Sequence, residues 1–397
     1  MNVKIFTDDI EQKALEQVET LCRQPAFADC KVRIMPDVHA GAGCVIGFTA
    51  DLGKKVIPNV VGVDIGCGML TVFLGKIDID FNELDRVIRQ FIPCGMNVHE
   101  DAFMFDISEL GLVCDLKLKK KDWLNKSLGT LGGGNHFIEI DADEDGNKYL
   151  VIHSGSRNLG KQVCEIYQER AVRNCSQNKR DDVIKNAILA LKAAGRESKI
   201  EETIRNIKAD VRFADVPKEL CYLDGQDRED YLHDMKACHF FAFLNRGVMS
   251  RIIIESMGWE NAATFETVHN YIGDDNIVRK GAIAAYKGQR VLIPMNMRDG
   301  CIIGIGKGNE DWNNSAPHGA GRIMSRKQAK STISLNEYKS SMDGVYSTCI
   351  DESTLDESPM AYKPMDEILR YIEPTVEIER IIKPIYNFKA QDERGVR

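Results

Sequence analysis

GTLGGGNHFIEI, residues 129–140, runs from three consecutive glycines into an apolar stretch, and YLVIH (149–153) follows as a second stretch of the same kind. Glycine frees the backbone from the Cβ constraint, so 132–134 reads as a backbone-exposing loop that feeds a strand. If 135–140 is extended, successive side chains alternate between faces, which sets Asn135 and Glu139 on one face and His136 on the other. LTVFL (70–74) and VLI (291–293) are further short strand candidates bounded by turn residues. A first helix is expected over about 8–22. From about 160 to 256 the pattern becomes helical, through KQVCEIYQERAV (161–172), a charged amphipathic stretch over 180–208 and a long run over 229–256. No repeat of solenoid period and no Pro-rich linker interrupts the chain. The expected fold is therefore α+β, one domain over 1–397 with a strand-rich core, flanking helices and a helical insertion. Residues 178–215, rich in Lys, Arg, Glu and Asp, read as a solvated helical excursion, and 331–360, where Ser, Asp and Glu predominate, as a mobile surface loop.

The chain has 397 residues, 43% hydrophobic and 28% charged, which suits a globular protein with a sizeable core. No stretch approaches 18 uninterrupted apolar residues, and MNVKIFTDDI lacks the basic and apolar regions of a signal peptide, so a cytoplasmic protein without a membrane partner is expected. The 12 cysteines include no C-x-x-C pair, which argues against a zinc ribbon or a disulfide framework. A net charge of −8 excludes a globally basic nucleic-acid coat and requires any polyanion to be recognised locally.

Four of the eight histidines, His136, His153, His269 and His318, lie in short motifs rich in Gly, Asn or Ser. Upstream, GVDIGCGM (62–69) carries Asp64 and Cys67, two metal-competent side chains among glycines that permit tight turns. Taken alone, it is more simply a buried cysteine in a Gly-rich turn. VIHSGSR (151–157) places His153 at a strand end, followed by Ser154, Ser156 and Arg157, whose donors suit phosphate oxygens. VHNY (268–271) adds His269. SAPHGAGR (315–322) sets His318 before Gly319-Ala320-Gly321, with a helix expected to begin through Arg322, Arg326 and Lys327. Backbone amides, a helix N-terminus and cations would then converge on a phosphate, and a neutral imidazole there can attack phosphorus. His39 in MPDVHAGAG (35–43) fits a site or a turn, and His99, His233 and His239 are assigned to surface or helix packing.

In combination, MPDVHAGAG, GVDIGCGM, GTLGGGNHF with Glu139, IHSGSR, YLHDM with Asn245-Arg246, VHNY, RKGA (279–282), SAPHGAGR with Ser325-Arg326, and the lysine segment around Lys389 resemble the RtcB family of RNA-splicing ligases, in order and over nearly the whole chain. The resemblance implies the fold of that family, two manganese ions, and GTP as activating nucleotide. It also implies joining of RNA 2′,3′-cyclic phosphate or 3′-phosphate ends to 5′-hydroxyl ends, in RNA repair or tRNA splicing. Carried over residue by residue, Asp64, Cys67, His136, His153 and His269 would ligate metal, with Cys67 bridging, and His318 would accept GMP. Asn135, His136, Phe137, Glu139, His269, Asn270, Pro294, Met295, Asn296, Met297, His318, Gly319, Ala320, Gly321 and Lys389 would form the GTP pocket, with Arg157 and Arg322 contacting RNA.

This chain departs from the family at PMNMRDGC (294–301), where the family has a Pro-Gly-Ser-Met-Gly stretch and a later serine, so Met295, Asn296 and Arg298 would change the pocket lining and Cys301 would replace the serine. Val278 stands where a histidine often precedes RKGA, and further residues follow Lys389 where the family ends at Lys-Gly. Other classes of function are a metal-dependent cyclic phosphodiesterase or phosphatase, which needs the ligands but not a nucleophilic His318, and a non-catalytic RNA-binding protein. A lysine-based nucleotidyl ligase is excluded, because none of the four Asp-Gly pairs has a lysine two places before its Asp.

Overall fold

The structure is a computed structural model that describes residues 2–41, 43–209, 216–260 and 263–389. In chain order its strands are β1 (Asn2–Ile5), β2 (Lys31–His39), β3 (Ile46–Asp51), β4 (Gly68–Gly75), β5 (Phe137–Ala142), β6 (Lys148–Ser154), β7 (Ala263–Val268), β8 (Tyr271–Ile272), β9 (Ile277–Lys280), β10 (Ala282–Ala284), β11 (Arg290–Asn296), β12 (Gly300–Gly306), β13 (Ser315–Pro317) and β14 (Val376–Lys389). Seven build a sheet in the order β11-β12-β14-β5-β6-β4-β7, five build a second in the order β1-β2-β3-β9-β8, and β10 pairs with β13. Every pairing in the large sheet is antiparallel, and the long helices Arg157–Ala193 and Gly225–Met257 are segregated between β6 and β7, so the class is α+β.

The large sheet is covered on both faces. Ile138, Ile140, Leu150 and Ile152 point with Leu70 and Val72 toward Met249 and Ile253 of the long helix Gly225–Met257. Phe137, Tyr149 and Val151 point the other way, into a cluster with Met69, Ile303 and Ile382. That two-sided burial explains why YLVIH is a continuous apolar run instead of an alternating one. Each such side chain, removed from water, contributes about 1.5–3 kcal/mol. In Gly225–Met257 the buried positions Tyr231, Met235, Cys238, Ala242, Arg246 and Met249 recur at helical spacing, a face that packs with the helix Arg157–Ala193 in its first half and on the large sheet in its second.

Two expectations change. The charged excursion is no separate element at its start: the helix beginning at Arg157 runs unbroken to Ala193, and Ile200–Ala209 follows; 210–215 lie outside the described residues. The segment 331–360 is a packed structure, not a surface loop. Leu335–Ser341 is helical, Glu352–Glu357 forms a 3-10 turn, and Ile333, Tyr338, Met342 and Leu355 are buried with Met297. Its Ser, Asp and Glu residues are caps: Ser334 and Glu337 form a capping box, and Asp351 caps the 3-10 turn through Ser353. No helix among the described residues is long and apolar enough to cross a membrane.

Candidate active site and metal centre

Strand register gathers the motifs. Phe137 pairs with His153, Met69 with His153, and Gly68 with both Ser154 and Val268, so β5, β6, β4 and β7 place 136, 153, 67 and 269 at one end of the sheet. The Cys67 loop is tied there by backbone bonds from His269 N to Cys67 O (2.8 Å) and from Gly66 N to Asn270 O (3.0 Å). Buried Arg246 anchors it from behind, donating to Gly66 O (2.9 Å) and Ser154 O (2.7 Å) while paired with Glu266. The alternation expected over 135–140 holds only from Phe137, where the strand begins; His136 precedes it and turns toward Asp64 and Cys67.

Two donor groups form, Asp64, Cys67 and His136 on one side and Cys67, His153 and His269 on the other, each with its ligand atoms within 4.8 Å of one another. Cys67 Sγ belongs to both, 3.4 Å from His136 Nε2 and 3.2 Å from His153 Nε2. The opposite ring nitrogens are oriented by backbone: His136 Nδ1 donates to Leu131 O (2.8 Å) and His153 Nδ1 to Asn135 O (3.3 Å), which leaves Nε2 of each free for a metal. His269 Nδ1 is buried without a partner among the described residues. Burial pushes His153 and His269 well below the usual histidine range, so both imidazoles are neutral and fit to ligate. Burial alone would raise the Asp64 carboxyl, but neighbouring His136, with Cys67 and Arg157, holds it below the usual carboxylate range. Burial, then Asp64, pushes the Cys67 thiol well up, so its thiolate needs a cation beside it. Neutral imidazoles, a carboxylate and a shared sulfur fit two divalent transition-metal ions.

Gly155 makes the closest approach to this centre: a Cβ there would stand 2.1 Å from Asp64 Oδ1. Gly155→Ala is expected to displace that carboxylate and weaken metal binding by about 10–100-fold, as loss of a support for a metal ligand does. Titration of metal per chain by mass spectrometry checks it; unchanged stoichiometry and affinity would refute the placement of Asp64 as a ligand.

Beyond this cluster opens a cavity of about 780 Å³, within the range of small-molecule and cofactor pockets. Asn135, Phe137, Glu139, Asn270, Pro294, Met295, Asn296, Met297, His318, Gly319, Ala320, Gly321, Arg322 and Lys389 all line it, with Asp64, Cys67, His153 and His269 at its end. Asn270 is held by backbone, accepting from Gly281 N (2.9 Å) and donating to Asp64 O (3.3 Å). Arg298, expected in the lining, instead pairs with Asp299 at the surface.

His318 follows β13, its ring centroid 4.9 Å from that of His269. Its Nδ1 lies 2.6 Å from Asp37 Oδ2, which also accepts from His318 N (3.1 Å). Asp37 is fully buried in β2, so Nδ1 carries the hydrogen donated to it and Nε2 is the ring nitrogen left for chemistry. The expected helix beginning through Arg322 is corrected: the helix is Arg326–Thr332, capped by Ser325. Gly321, at φ +77° with Asp37 O pressed against it, turns the chain away from helical geometry first. The His318 amide therefore serves Asp37 instead of a phosphate.

Lys389 Nζ binds Glu357 Oε2 (2.9 Å) and Asn135 O (3.1 Å), the same carbonyl that His153 Nδ1 meets. Burial would raise Glu357, but Lys389, Arg326 and Arg322 outweigh it and hold it at about 2. Arg322 is committed to Glu357, Tyr362 Oη and Asp356 O. Arg157, at φ +57°, is outside the cavity lining; it packs behind His136, donating to Thr130 Oγ1 (3.3 Å) and Gly95 O (3.3 Å). Sequence reading missed Asp37 and Glu357. Asp37 carried a signal, a lone carboxylate in the otherwise buried run KVRIMPDVH; Glu357 carried none.

The family model described as tRNA-splicing ligase RtcB matches residues 17–119 and 112–390. RNA-splicing ligase RtcB of Escherichia coli strain K12 is 30% identical, over 98% of this chain and 97% of its own length. tRNA-splicing ligase RtcB of Aeropyrum pernix is 27% identical over 92% of this chain and 89% of its own, and RNA-splicing ligase RtcB2 of E. coli strain ATCC 25922 is 25% identical over the same shares. With the motifs, their order and the convergence of their side chains at one cavity, the match places the chain in the RtcB family of RNA ligases.

Proposed function

We propose that this protein is a GTP- and manganese-dependent RNA ligase that joins 2′,3′-cyclic phosphate or 3′-phosphate ends to 5′-hydroxyl ends through a guanylylated His318. The observation that carries the reading is the Asp37–His318 pair in the wall of a nucleotide-sized cavity that ends at the shared-sulfur ligand cluster. Asp64, Cys67, His136, His153 and His269 would hold two metal ions, which when bound supply Lewis-acid charge at phosphorus.

The chain's own residues account for the rest. With Nδ1–H held by Asp37, Nε2 of His318 attacks the α-phosphorus of GTP; an N–P bond forms, the α–β P–O bond breaks and pyrophosphate leaves. Asp37 stabilises the positive charge that builds on the imidazole. An oxygen of the RNA 3′-phosphate, after hydrolytic opening of any cyclic phosphate, displaces His318 from that phosphorus. The 5′-hydroxyl then attacks the RNA phosphate and GMP leaves. Glu139, buried in the cavity wall, reads the base, and Lys389, paired with Glu357, holds the wall beside it with its ammonium 5.1 Å from the Phe137 ring centroid. Arg326, half-exposed in the cavity lining, is the cation open to an RNA phosphate; Arg322 would have to release Glu357 to meet one, and Arg157, packed behind His136, would have to leave Thr130 and Gly95.

Incubation with labelled GTP and Mn²⁺ is expected to give an acid-labile, alkali-stable GMP adduct and sealing of cyclic-phosphate to 5′-hydroxyl RNA. Ring opening without sealing would instead identify a phosphodiesterase. Asp37→Asn is expected to slow adduct formation by about 10²–10⁴-fold in single turnover while metal content stays at two ions per chain, because the imidazole loses its fixed tautomer and counter-charge. An unchanged rate would show that Asp37 does not govern His318.

A further inference from the structure

β5 carries two carboxylates on one face, Glu139 and Asp141, and β12 brings Cys301 to them; their ligand atoms lie within 4.8 Å of one another. Glu139 is 2% exposed, Asp141 0% and Cys301 1%. Glu139 lines the cavity, whereas Asp141 and Cys301 stand behind it. The layer around them is apolar, formed by Phe137, Tyr149, Val151, Ile303 and Ile382.

The donors in reach are few. From β14, Asn387 Nδ2 donates to Glu139 Oε2 at 2.5 Å, and Lys389 is committed to Glu357 and Asn135 O. From β6, the Tyr149 hydroxyl is spent on Asp143. From β12, the Cys301 thiol, pushed well up by burial, lies 3.9 Å from Glu139 Oε1. Neither oxygen of Asp141 has a hydrogen-bond partner among the described residues. Two ionised carboxylates are acceptors only and repel, so a buried pair without a cation keeps a proton between them. Burial, then Glu139, pushes the Asp141 carboxyl well up.

We infer that Asp141 is a neutral carboxylic acid that donates its proton to Glu139, so that Glu139 meets the nucleobase as a carboxylate and selects a base edge offering two donors. Guanine offers such an edge through N1–H and its exocyclic amine; adenine offers an acceptor beside a donor. Asp141 acts through Glu139 and is a positioning residue. The inference rests on the reading of this cavity as the GTP pocket.

The test uses the full-length, metal-loaded chain. The infrared difference between wild type and D141N at neutral pH is expected to contain the C=O stretch of a buried acid, shifted in D₂O. Competition between GTP and ATP gives the second readout. D141N, whose amide donates permanently, should keep GTP affinity and preference within about 3-fold, while D141L, of similar bulk but without a proton to give, should lose about 10-fold or more of GTP affinity and most of the preference, the effect of losing one charge-assisted hydrogen bond. Absence of the acid band, D141L indistinguishable from wild type, or a third metal ion per chain that D141N loses would each overturn the proposal; the last would put a cation where the proton is assigned. E139Q separates the two levels. If E139Q leaves GTP binding unchanged, the GTP reading of the cavity has failed; if E139Q weakens it and D141L does not, only the role of Asp141 has failed.

Discussion

Cys67→Ala is expected to empty both metal positions and abolish RNA joining. The sulfur is the one atom common to the two donor groups, so its removal leaves Asp64 with His136 and His153 with His269, two sites of two donors each. Loss of a ligand should exceed the 10–100-fold cost of losing a supporting group, so affinity at each position is expected to fall by more than about 10²-fold. The pH dependence sharpens the test. Burial and Asp64 raise the thiol, so a metal must displace its proton, and metal affinity should rise with pH over the neutral and mildly alkaline range. His153 and His269, pushed down by burial, are already neutral there and add little to that slope. The slope should therefore be lost in Cys67→Ala and partly kept in Cys67→Ser. Normal metal content with full joining in Cys67→Ala would sink the shared-sulfur assignment, and with it the two-ion reading.

The five candidate ligands stand out in the sequence because each sits in a short motif where glycine or a strand end marks a polar side chain that packing does not need. Their convergence does not, since it depends on the register of β5, β6, β4 and β7, which brings His153 level with Phe137 and Gly68 level with Val268. Asp37 and His318 meet across 281 positions, and no local pattern at either end announces the partner. The same limit hid the meeting of Asp141 with Cys301, which flank β14 from its two sides. Composition misled at 331–360, where Ser, Asp and Glu end short helices and Tyr338 and Met342 do the packing. It misled again after His318, where three small residues and an arginine suggested a helix start that Gly321 delays to Arg326.

His318→Ala is expected to lose the GMP adduct and sealing by at least about 10⁴-fold, the scale on which removal of a nucleophile acts, while metal content stays as in wild type. That pairing of outcomes distinguishes it from Cys67→Ala, in which metal and chemistry fall together. Among the described residues His318 meets the candidate metal cluster through its ring contact with His269, and its anchor is Asp37 on the other sheet, so truncation would remove the proposed carrier without removing a candidate ligand. A second arm isolates the step. RNA already bearing a 3′-diphosphoguanosine end no longer needs the histidine as carrier, so His318→Ala should join it to a 5′-hydroxyl strand at a rate near that of wild type. Cys67→Ala should not, because the charge that stabilises the displacement of GMP is gone. Should His318→Ala retain the labelled adduct, the nucleophile lies elsewhere and the Asp37–His318 pair serves another purpose. Should it lose the adduct and also fail with the activated RNA, the imidazole takes part in the final displacement, and its place beside His269 would be where that second role begins.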